Sequence, residues 1–136
     1  MSNIKLNKIF KTVCIASDHA GFNLKEDIKN YLIDKNVSIF DMGPFVDKSV
    51  DYPDYAKKLG NRIKLKKSDV GILVCGSGTG MAISANKIKS IRAAVCYNLK
   101  STRLSRQHNN ANIIALGSRL TKKKLSLKLV DIFLKT

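Results

Sequence analysis

The sequence reads Val-Gly-Ile-Leu-Val-Cys-Gly-Ser-Gly-Thr-Gly from Val70 to Gly80, an apolar run that passes directly into three alternating glycines. A short aliphatic run bounded by glycine is typical of a buried strand. Similar apolar runs occur at residues 12–16, 37–40, 93–97 and 113–116, and a helix-like segment follows each of the five. Strands that alternate with helices predict a parallel sheet, because right-handed crossovers place a helix between successive parallel strands.

The helix-like segments carry their apolar residues on one face, as helices that cover a sheet do. The first and last segments show this with Leu24, Ile28, Tyr31 and Leu32, and with Leu125, Leu129, Ile132 and Phe133. We therefore expect an α/β fold, a three-layer α/β/α sandwich with a five-stranded parallel sheet of Rossmann-like or flavodoxin-like type. It should form one domain of residues 12–136 behind a basic leader of residues 1–11.

The 136-residue chain carries a formal net charge of +15. Its lysines are spread along the chain without interleaved aromatic residues, which favours a solvated basic surface over a nucleic-acid interface. No apolar run reaches the roughly 18 residues that span a bilayer, so we expect no membrane partner and a cytoplasmic location. Cys14, Cys75 and Cys96 form no C-x-x-C pair, so neither a disulfide framework nor a zinc site is indicated.

Polar residues follow the predicted strands at the edge where open α/β sheets bind ligands. Asp18 and His19 come after the first strand, and the glycine-rich loop of residues 76–80 comes after the third. Loop amides and a helix N-terminus can cradle an anion, although such a loop is also typical of a simple tight turn. The loop has neither the G-x-G-x-x-G spacing nor the ending of a P-loop, which disfavours nucleotide binding.

Cys75 ends the third strand, where amides and the positive end of the next helix should favour a thiolate base. No Asp or Glu occurs from Val70 to Val130, so Cys75 and His108 are the candidate proton carriers of that half of the chain. Each histidine is equally typical of a surface or loop-capping residue, and Arg119 can cap a helix or hold phosphate. A thiolate, an anion-binding loop and a cation together suit enolisation beside a carbonyl, with no metal or organic cofactor.

Six motifs, in order from about Thr12 to the C-terminus, resemble those of the type B ribose-5-phosphate isomerases, a family that includes the galactose-6-phosphate isomerase subunits. The motifs are Ser17-Asp18-His19-Ala20-Gly21-Phe22, Asp51-Tyr52-Pro53-Asp54-Tyr55-Ala56, Cys75-Gly76-Ser77-Gly78-Thr79-Gly80, Ala85-Asn86-Lys87-Ile88, Ser105-Arg106-Gln107-His108-Asn109 and Gly117-Ser118-Arg119. The resemblance implies an aldose–ketose isomerase of the pentose phosphate pathway, which interconverts ribose 5-phosphate and ribulose 5-phosphate through an enediolate.

The resemblance also implies roles for individual residues. Cys75 is expected to remove the C2 proton and return it at C1, and His108 is expected to assist ring opening. Stabilisation of the enediolate is expected from Ser77 and from the loop amides of Gly76, Gly78, Thr79 and Gly80. Sugar hydroxyls are expected to bind to Asp18, Tyr52 and Asn109. The phosphate is expected to bind to His19 and Arg119.

The family pairs two chains around each site, so we expect a homodimer in which His108 and Arg119 can belong to the subunit opposite Cys75. Whether dimers pair into tetramers stays open. Many relatives continue into a tail of phosphate-binding arginines, whereas this chain stops at Thr136, so we expect other cations to compensate.

Two alternative functions stay open. One is isomerisation of a six-carbon substrate, allose 6-phosphate or galactose 6-phosphate. Ribose 5-phosphate is favoured over these, because the galactose-6-phosphate isomerase subunits usually divide or lose the thiol and histidine motifs between two chains and this chain keeps both. The other is a non-catalytic module that binds an anion or RNA, which is less favoured because a fold alone does not confer a function and six site motifs indicate one.

Overall fold

The computed structural model describes residues 10, 12–46 and 51–136. Within these residues, strands and helices alternate along the chain, as the sequence predicts. Their bounds are β1 Val13–Ser17, α1 Phe22–Asp34, β2 Ile39–Asp41, α2 Tyr52–Lys64, β3 Val70–Cys75, α3 Thr79–Asn86, β4 Ala93–Val95, α4 Leu99–Gln107, β5 Ile113–Gly117 and α5 Lys123–Lys135.

The five strands form one parallel sheet in the order β2-β1-β3-β5-β4. The first and third strands are neighbours, with Ser17 opposite Val74. The fifth strand lies on the other side of β3 and places Gly117 opposite Cys75. The carboxyl ends of β1, β3 and β5 therefore meet at one edge of the sheet, and the loops that follow them lie side by side.

Helices cover both faces of the sheet, which confirms the α/β/α sandwich. On one face, α1 and α5 pack against the sheet through an apolar cluster that includes Ile28, Ile72 and Phe133. On the other face, α2 and α3 do so through a cluster that includes Leu59 and Met81. The alternation along β3 sends Val74 to the first cluster and Cys75 to the second.

The two outermost strands are shorter than the sequence predicts. At β4, Cys96 still donates its N–H to the Ala115 carbonyl (3.0 Å), but Asn98 accepts a hydrogen bond from the Ser101 N–H (2.7 Å) and so caps α4, which takes the chain away from the sheet. At β2, Val37 is buried but precedes the paired residues, so the strand begins only at Ile39. Short strands at sheet edges also limit unwanted pairing with other chains.

The outer side of β4 is closed by an asparagine side chain. Asn86, the last residue of α3, accepts a hydrogen bond from the Ala93 N–H (2.7 Å) and donates one to the Ala93 carbonyl (2.9 Å). Both backbone polar groups of Ala93 are thus paired on the side that faces away from β5.

Most of the predicted basic leader, residues 1–9 and 11, lies outside the described residues. Phe10 is described, and it packs against the cluster under α1 and α5 with the Arg106 guanidinium 4.7 Å from its ring. The division into a leader and one domain stays a prediction. None of the helices in the described ranges is both long and apolar enough to span a membrane.

Candidate active site

A cleft of about 350 Å³ opens at the carboxyl ends of the central strands. It lies where the sequence predicts a ligand site in an open α/β sheet. Its walls come from the ends of β1, β3 and β5 and from the first turns of α2 and α3. The lining residues are Asp18, Tyr52, Cys75, Gly76, Ser77, Gly80, Arg119 and Leu120.

Cys75 lies at the inner end of the cleft and is 5% exposed. Its Sγ accepts a hydrogen bond from the Gly78 N–H at 3.1 Å. Gly78 can do this because its φ is +81°, a conformation that favours glycine, and because the loop passes within contact of the β5 backbone at Leu116. The helix that follows directs its positive end toward this loop.

Arg119 lies over the glycine-rich loop of the same chain. A Cβ atom added at Gly76 would stand 3.0 Å from its Nη1, so the absence of a side chain there makes room for the guanidinium. The Arg119 N–H also donates to the Gly76 carbonyl (3.0 Å), which fixes the start of the β5–α5 connection. Among the described residues no carboxylate lies within ion-pair distance of Arg119, so its charge is available to a ligand.

Tyr52 and Gly80 meet across the cleft in a similar way. Tyr52 is the first residue of α2 and is about two-fifths exposed (41%). A Cβ atom at Gly80 would stand 2.9 Å from the Tyr52 ring. The glycine therefore lets the ring lie directly against the first turn of α3.

Asp18 is almost buried and is held by the turn that starts α1. Its Oδ1 accepts a hydrogen bond from the Gly21 N–H (2.8 Å), and its own N–H donates to the Val74 carbonyl (3.1 Å). Gly21 packs so closely on β3 that a Cβ atom would stand 2.4 Å from the Val74 oxygen. These contacts bring Asp18 to the same cleft as Cys75, as the sequence predicts.

Three predicted residues border the site without lining the cleft: Gly78, whose N–H bonds the Cys75 sulfur, and His19 and Thr79. His19 is exposed in the turn after β1. Thr79 is exposed at the start of α3, and its N–H donates to the Ser77 Oγ (3.2 Å), which shapes the loop from within.

His108 and Asn109 lie at the amino ends of the strands, whereas Cys75 lies at the carboxyl end of β3. They follow α4, which returns the chain to the amino end of β5, and the five residues of β5 then span roughly 13 Å before Gly117 reaches Cys75. His108 is exposed, and Asn109 lines a hollow of about 460 Å³ beside β4. The structure therefore does not bring these two residues to the Cys75 cleft of their own chain.

The polar segment around His108 is held by its neighbours. Arg92 Nε donates to the Asn109 carbonyl (2.6 Å), and Arg106 Nη1 donates to the Ala111 carbonyl. Burial lowers the pKa of Arg106, whose guanidinium also contacts Phe133. Arg92 and Arg106 therefore have a structural role in this segment, and they hold His108 and Asn109 at the surface.

Sequence reasoning missed two cations beside the cleft. Arg119 also borders a hollow of about 320 Å³ whose wall includes Lys122 and Lys123. The Lys123 Nζ lies 3.7 Å from the Asp27 carboxylate, whereas Lys122 has no carboxylate partner within the part of the chain that is described. The run of three lysines at residues 122–124 was a visible signal, but its position beside Arg119 depends on the fold.

Among the described residues no group of three or more His, Cys, Asp and Glu side chains is arranged to hold a metal ion. Asp18 and Cys75 line the cleft instead, and the Gly78 N–H of the loop is directed at the Cys75 sulfur. The arrangement suits a ligand with a developing negative charge near the loop and a fixed negative charge near Arg119.

Comparison with known proteins supports the resemblance seen in the motifs. The family model described as Ribose/Galactose Isomerase matches residues 13–136. The ribose-5-phosphate isomerase B of Escherichia coli strain K12 is 40% identical over 124 residues, which cover 91% of this chain and 83% of that protein.

Solved structures agree with the sequence comparison. The structure of Clostridium thermocellum ribose-5-phosphate isomerase B is 45% identical with a TM-score of 0.91, over 92% of this chain and 84% of that one. The Mycoplasma genitalium ribose-5-phosphate isomerase B, solved with bound ribulose-5-phosphate, is 40% identical with a TM-score of 0.88, again over 92% and 84%.

Proposed function

Because the chain belongs to the ribose/galactose isomerase family, we propose that it interconverts ribose 5-phosphate and ribulose 5-phosphate. The observation that carries the proposal is the position of the Cys75 thiol, which faces the cleft at the start of an amide-lined loop with Gly78 N–H directed at sulfur. A base beside a ready anion site is what proton transfer next to a carbonyl needs.

In the proposed mechanism, Cys75 as thiolate takes the proton from C2 of the open-chain aldose. The electron pair of the broken C–H bond forms the C1–C2 double bond of an enediolate, whose oxygen charge faces the loop amides and the Ser77 hydroxyl. A proton then passes from the C2 hydroxyl to the C1 oxygen, and the same thiol returns its proton at C1 as the C2 carbonyl forms, which gives the ketose. Asp18 and Tyr52 line the same cleft and are proposed to hold the sugar hydroxyls.

The phosphate is proposed to bind at Arg119, with His19 at the rim. A guanidinium without a carboxylate partner recognises phosphate oxygens through several donors at once. Lys122, which shares the neighbouring hollow with Arg119, is the cation best placed to add to this grip. If so, Lys122→Gln should raise the KM for ribose 5-phosphate, and ribose without its phosphate should be a far poorer substrate by kcat/KM.

The separation of His108 from Cys75 supports a site shared by two copies of the chain. A histidine that assists ring opening must reach the sugar, and within one chain it lies at the other edge of the sheet. We therefore propose a homodimer in which His108 and Asn109 of one subunit complete the Cys75 cleft of the other, whereas Arg119 serves the cleft of its own chain.

A cytoplasmic location is part of the proposal, because sugar phosphates are charged and do not cross bilayers unaided. The described cysteines are all free thiols, which fits a reducing compartment.

Proton NMR of the purified protein with ribose 5-phosphate in D₂O tests the proposal directly. Appearance of ribulose 5-phosphate, with deuterium at the exchanged carbon, is expected without added metal or cofactor. Comparison of kcat/KM with allose 6-phosphate and galactose 6-phosphate then decides the substrate, since specificity is a ratio of these values. Absence of conversion for five- and six-carbon phosphates alike would overturn the proposal.

A further inference from the structure

Lys25 is a fully buried lysine on α1, outside the cleft. Its side chain has no exposed surface, although lysine is almost never buried without a partner. The Nζ donates to both carboxylate oxygens of Asp41 (2.9 and 2.8 Å) and to Glu26 Oε2 (2.9 Å). Rings of Phe22 and Phe45 lie 5.2 and 5.7 Å from the ammonium. A buried ion pair is weak evidence of a contribution to stability, so its presence calls for another explanation.

Asp41, the last residue of β2, connects this lysine to the backbone that follows. Its carboxylate accepts from Lys25, from Lys29 (2.9 Å) and from the Gly43 N–H (2.8 Å). Burial opposes ionisation of this carboxyl, but hydrogen bonds from both lysines outweigh it and lower the pKa of Asp41. The carboxylate stays charged and fixes the orientation of Gly43.

Gly43 contacts two elements that line the cleft. Its φ is +100°, a conformation that favours glycine. The carbonyl of Gly43 accepts a hydrogen bond from the Ser17 N–H (3.1 Å), one residue before Asp18. On its other side, a Cβ atom at Gly43 would stand 3.2 Å from the Tyr55 ring, in the first turn of α2 beside Tyr52.

We propose that Lys25 and Asp41 are positioning residues for the cleft, because through Gly43 they set both the end of β1 that carries Asp18 and the first turn of α2 that carries Tyr52. Neither residue touches the cleft. The inference rests on the proposed function only in that Asp18 and Tyr52 are taken to hold sugar hydroxyls. Arg119 follows β5 and lies outside this chain of contacts.

The two variants Asp41→Ala and Lys25→Met test the proposal, with Lys29→Met as the matched control. Lys29 bonds the same carboxylate from a more exposed position, and its loss leaves Lys25 on both Asp41 oxygens. The KM and kcat for ribose 5-phosphate are measured, together with the inhibition constant of inorganic phosphate, which has no hydroxyl chain. All measurements are made well below the unfolding temperature of each variant.

Both test variants should raise the KM about tenfold, as loss of a well-placed hydroxyl contact would, with kcat little changed. The inhibition constant of phosphate should stay the same, and Lys29→Met should match the wild type in all three quantities. A folded Asp41→Ala or Lys25→Met variant with unchanged KM would overturn the proposal. So would a phosphate inhibition constant that rises in parallel with KM, because that indicates general loosening.

Hydrogen exchange separates failure of this inference from failure of the proposed function. If the wild type isomerises no sugar phosphate, amide exchange at Ser17, Asp18, Tyr52, Asp54 and Tyr55 is compared between Asp41→Ala and Lys29→Met. Faster exchange there in Asp41→Ala, with α5 unaffected, supports the positioning role whatever the ligand of the cleft is. Equal exchange in the two variants overturns it.

Discussion

Cys75 is the residue at which binding and chemistry can be separated. Cys75→Ala should lower kcat by at least about a thousandfold, because it removes the proposed base, and change the Kd of ribose 5-phosphate by less than about threefold. Isotope exchange by NMR and calorimetric titration measure the two quantities. Cys96→Ala is the control, since that thiol is buried in the other apolar cluster. A kcat within tenfold of the wild type would exclude Cys75 as the base.

Cys14 provides a pH-dependent contribution to stability. Burial raises the pKa of this thiol from 9.0 to about 11, an effect that Ser68 and Arg62 only partly offset. The folded state thus retains a proton that the unfolded state loses above pH 9. The free energy of unfolding should therefore fall as pH rises from 9 to 11, by up to about 3 kcal/mol.

Cys14→Ala isolates this contribution from that of other groups. Urea unfolding between pH 8 and 11 should show a shallower decline in the variant than in the wild type. Equal declines would mean that the Cys14 thiol does not titrate differently in the two states.

Single residues of the site were predictable where strand ends determine them. Asp18, Cys75 and Arg119 follow three apolar runs, and parallel strands bring their ends together. Lys25 was not predictable, because it lies at the border of the apolar face of α1, where a lysine normally extends its ammonium into water. Only the pairing of β1 with β2 places Asp41 against it.

At the scale of elements, the contact between α2 and α3 at the cleft depends on Gly80. Gly80→Ala should place a methyl group 2.9 Å from the Tyr52 ring and displace it, which should raise the KM for ribose 5-phosphate several-fold. The same change should stabilise helix α3 by about 1 kcal/mol, because alanine is the better helix former. Steady-state kinetics should therefore show a higher KM, whereas thermal unfolding should show a higher Tm.

Gly60→Ala is the matched control for that substitution. Its added methyl group would also meet a side chain closely, the terminal carbon of Ile88 at 2.7 Å just after the end of α3, but this contact lies away from the cleft. The variant should keep the wild-type KM. An equal rise in KM for both alanine variants would refute a specific role of the Tyr52 contact.

Strand and helix alternation gave the layers of the sandwich, but it could not give the order of the last two strands. The crossover through α3 passes beyond the position of β5 to form β4 at the edge, and α4 returns the chain to the gap. No periodicity in the sequence distinguishes this order from one in which β4 follows β3 directly. The strand order matters for the site, because it determines that the loop after β5, which carries Arg119, lies beside Cys75.

In the whole molecule Cys75 and His108 lie at opposite ends of the strands, and we propose that they meet only across a dimer. Two variants that each lack one of these side chains should therefore complement each other. Cys75→Ala and His108→Ala chains, unfolded together in equal amounts and refolded, should form mixed dimers. Each mixed dimer has one site with both native side chains, so about a quarter of the wild-type activity should return. Initial rates with ribose 5-phosphate measure the recovery.

A double variant gives the control for complementation. Cys75→Ala chains mixed with Cys75→Ala/His108→Ala chains should recover nothing, since no site regains a thiol. Failure of the first mixture to exceed the sum of its separate components, despite mixed dimers in a native mass spectrum, would show that the two residues do not share a site.

The closed edge of β4 has a consequence for how the protein ages. Asparagine amides hydrolyse slowly to carboxylates, and an aspartate at position 86 could still accept from the Ala93 N–H but would have no hydrogen to donate to the Ala93 carbonyl. One unpaired acceptor would then face outward from a sheet edge, where strands of other molecules can add. Stored protein should therefore aggregate slowly before the activity of the remaining soluble protein declines.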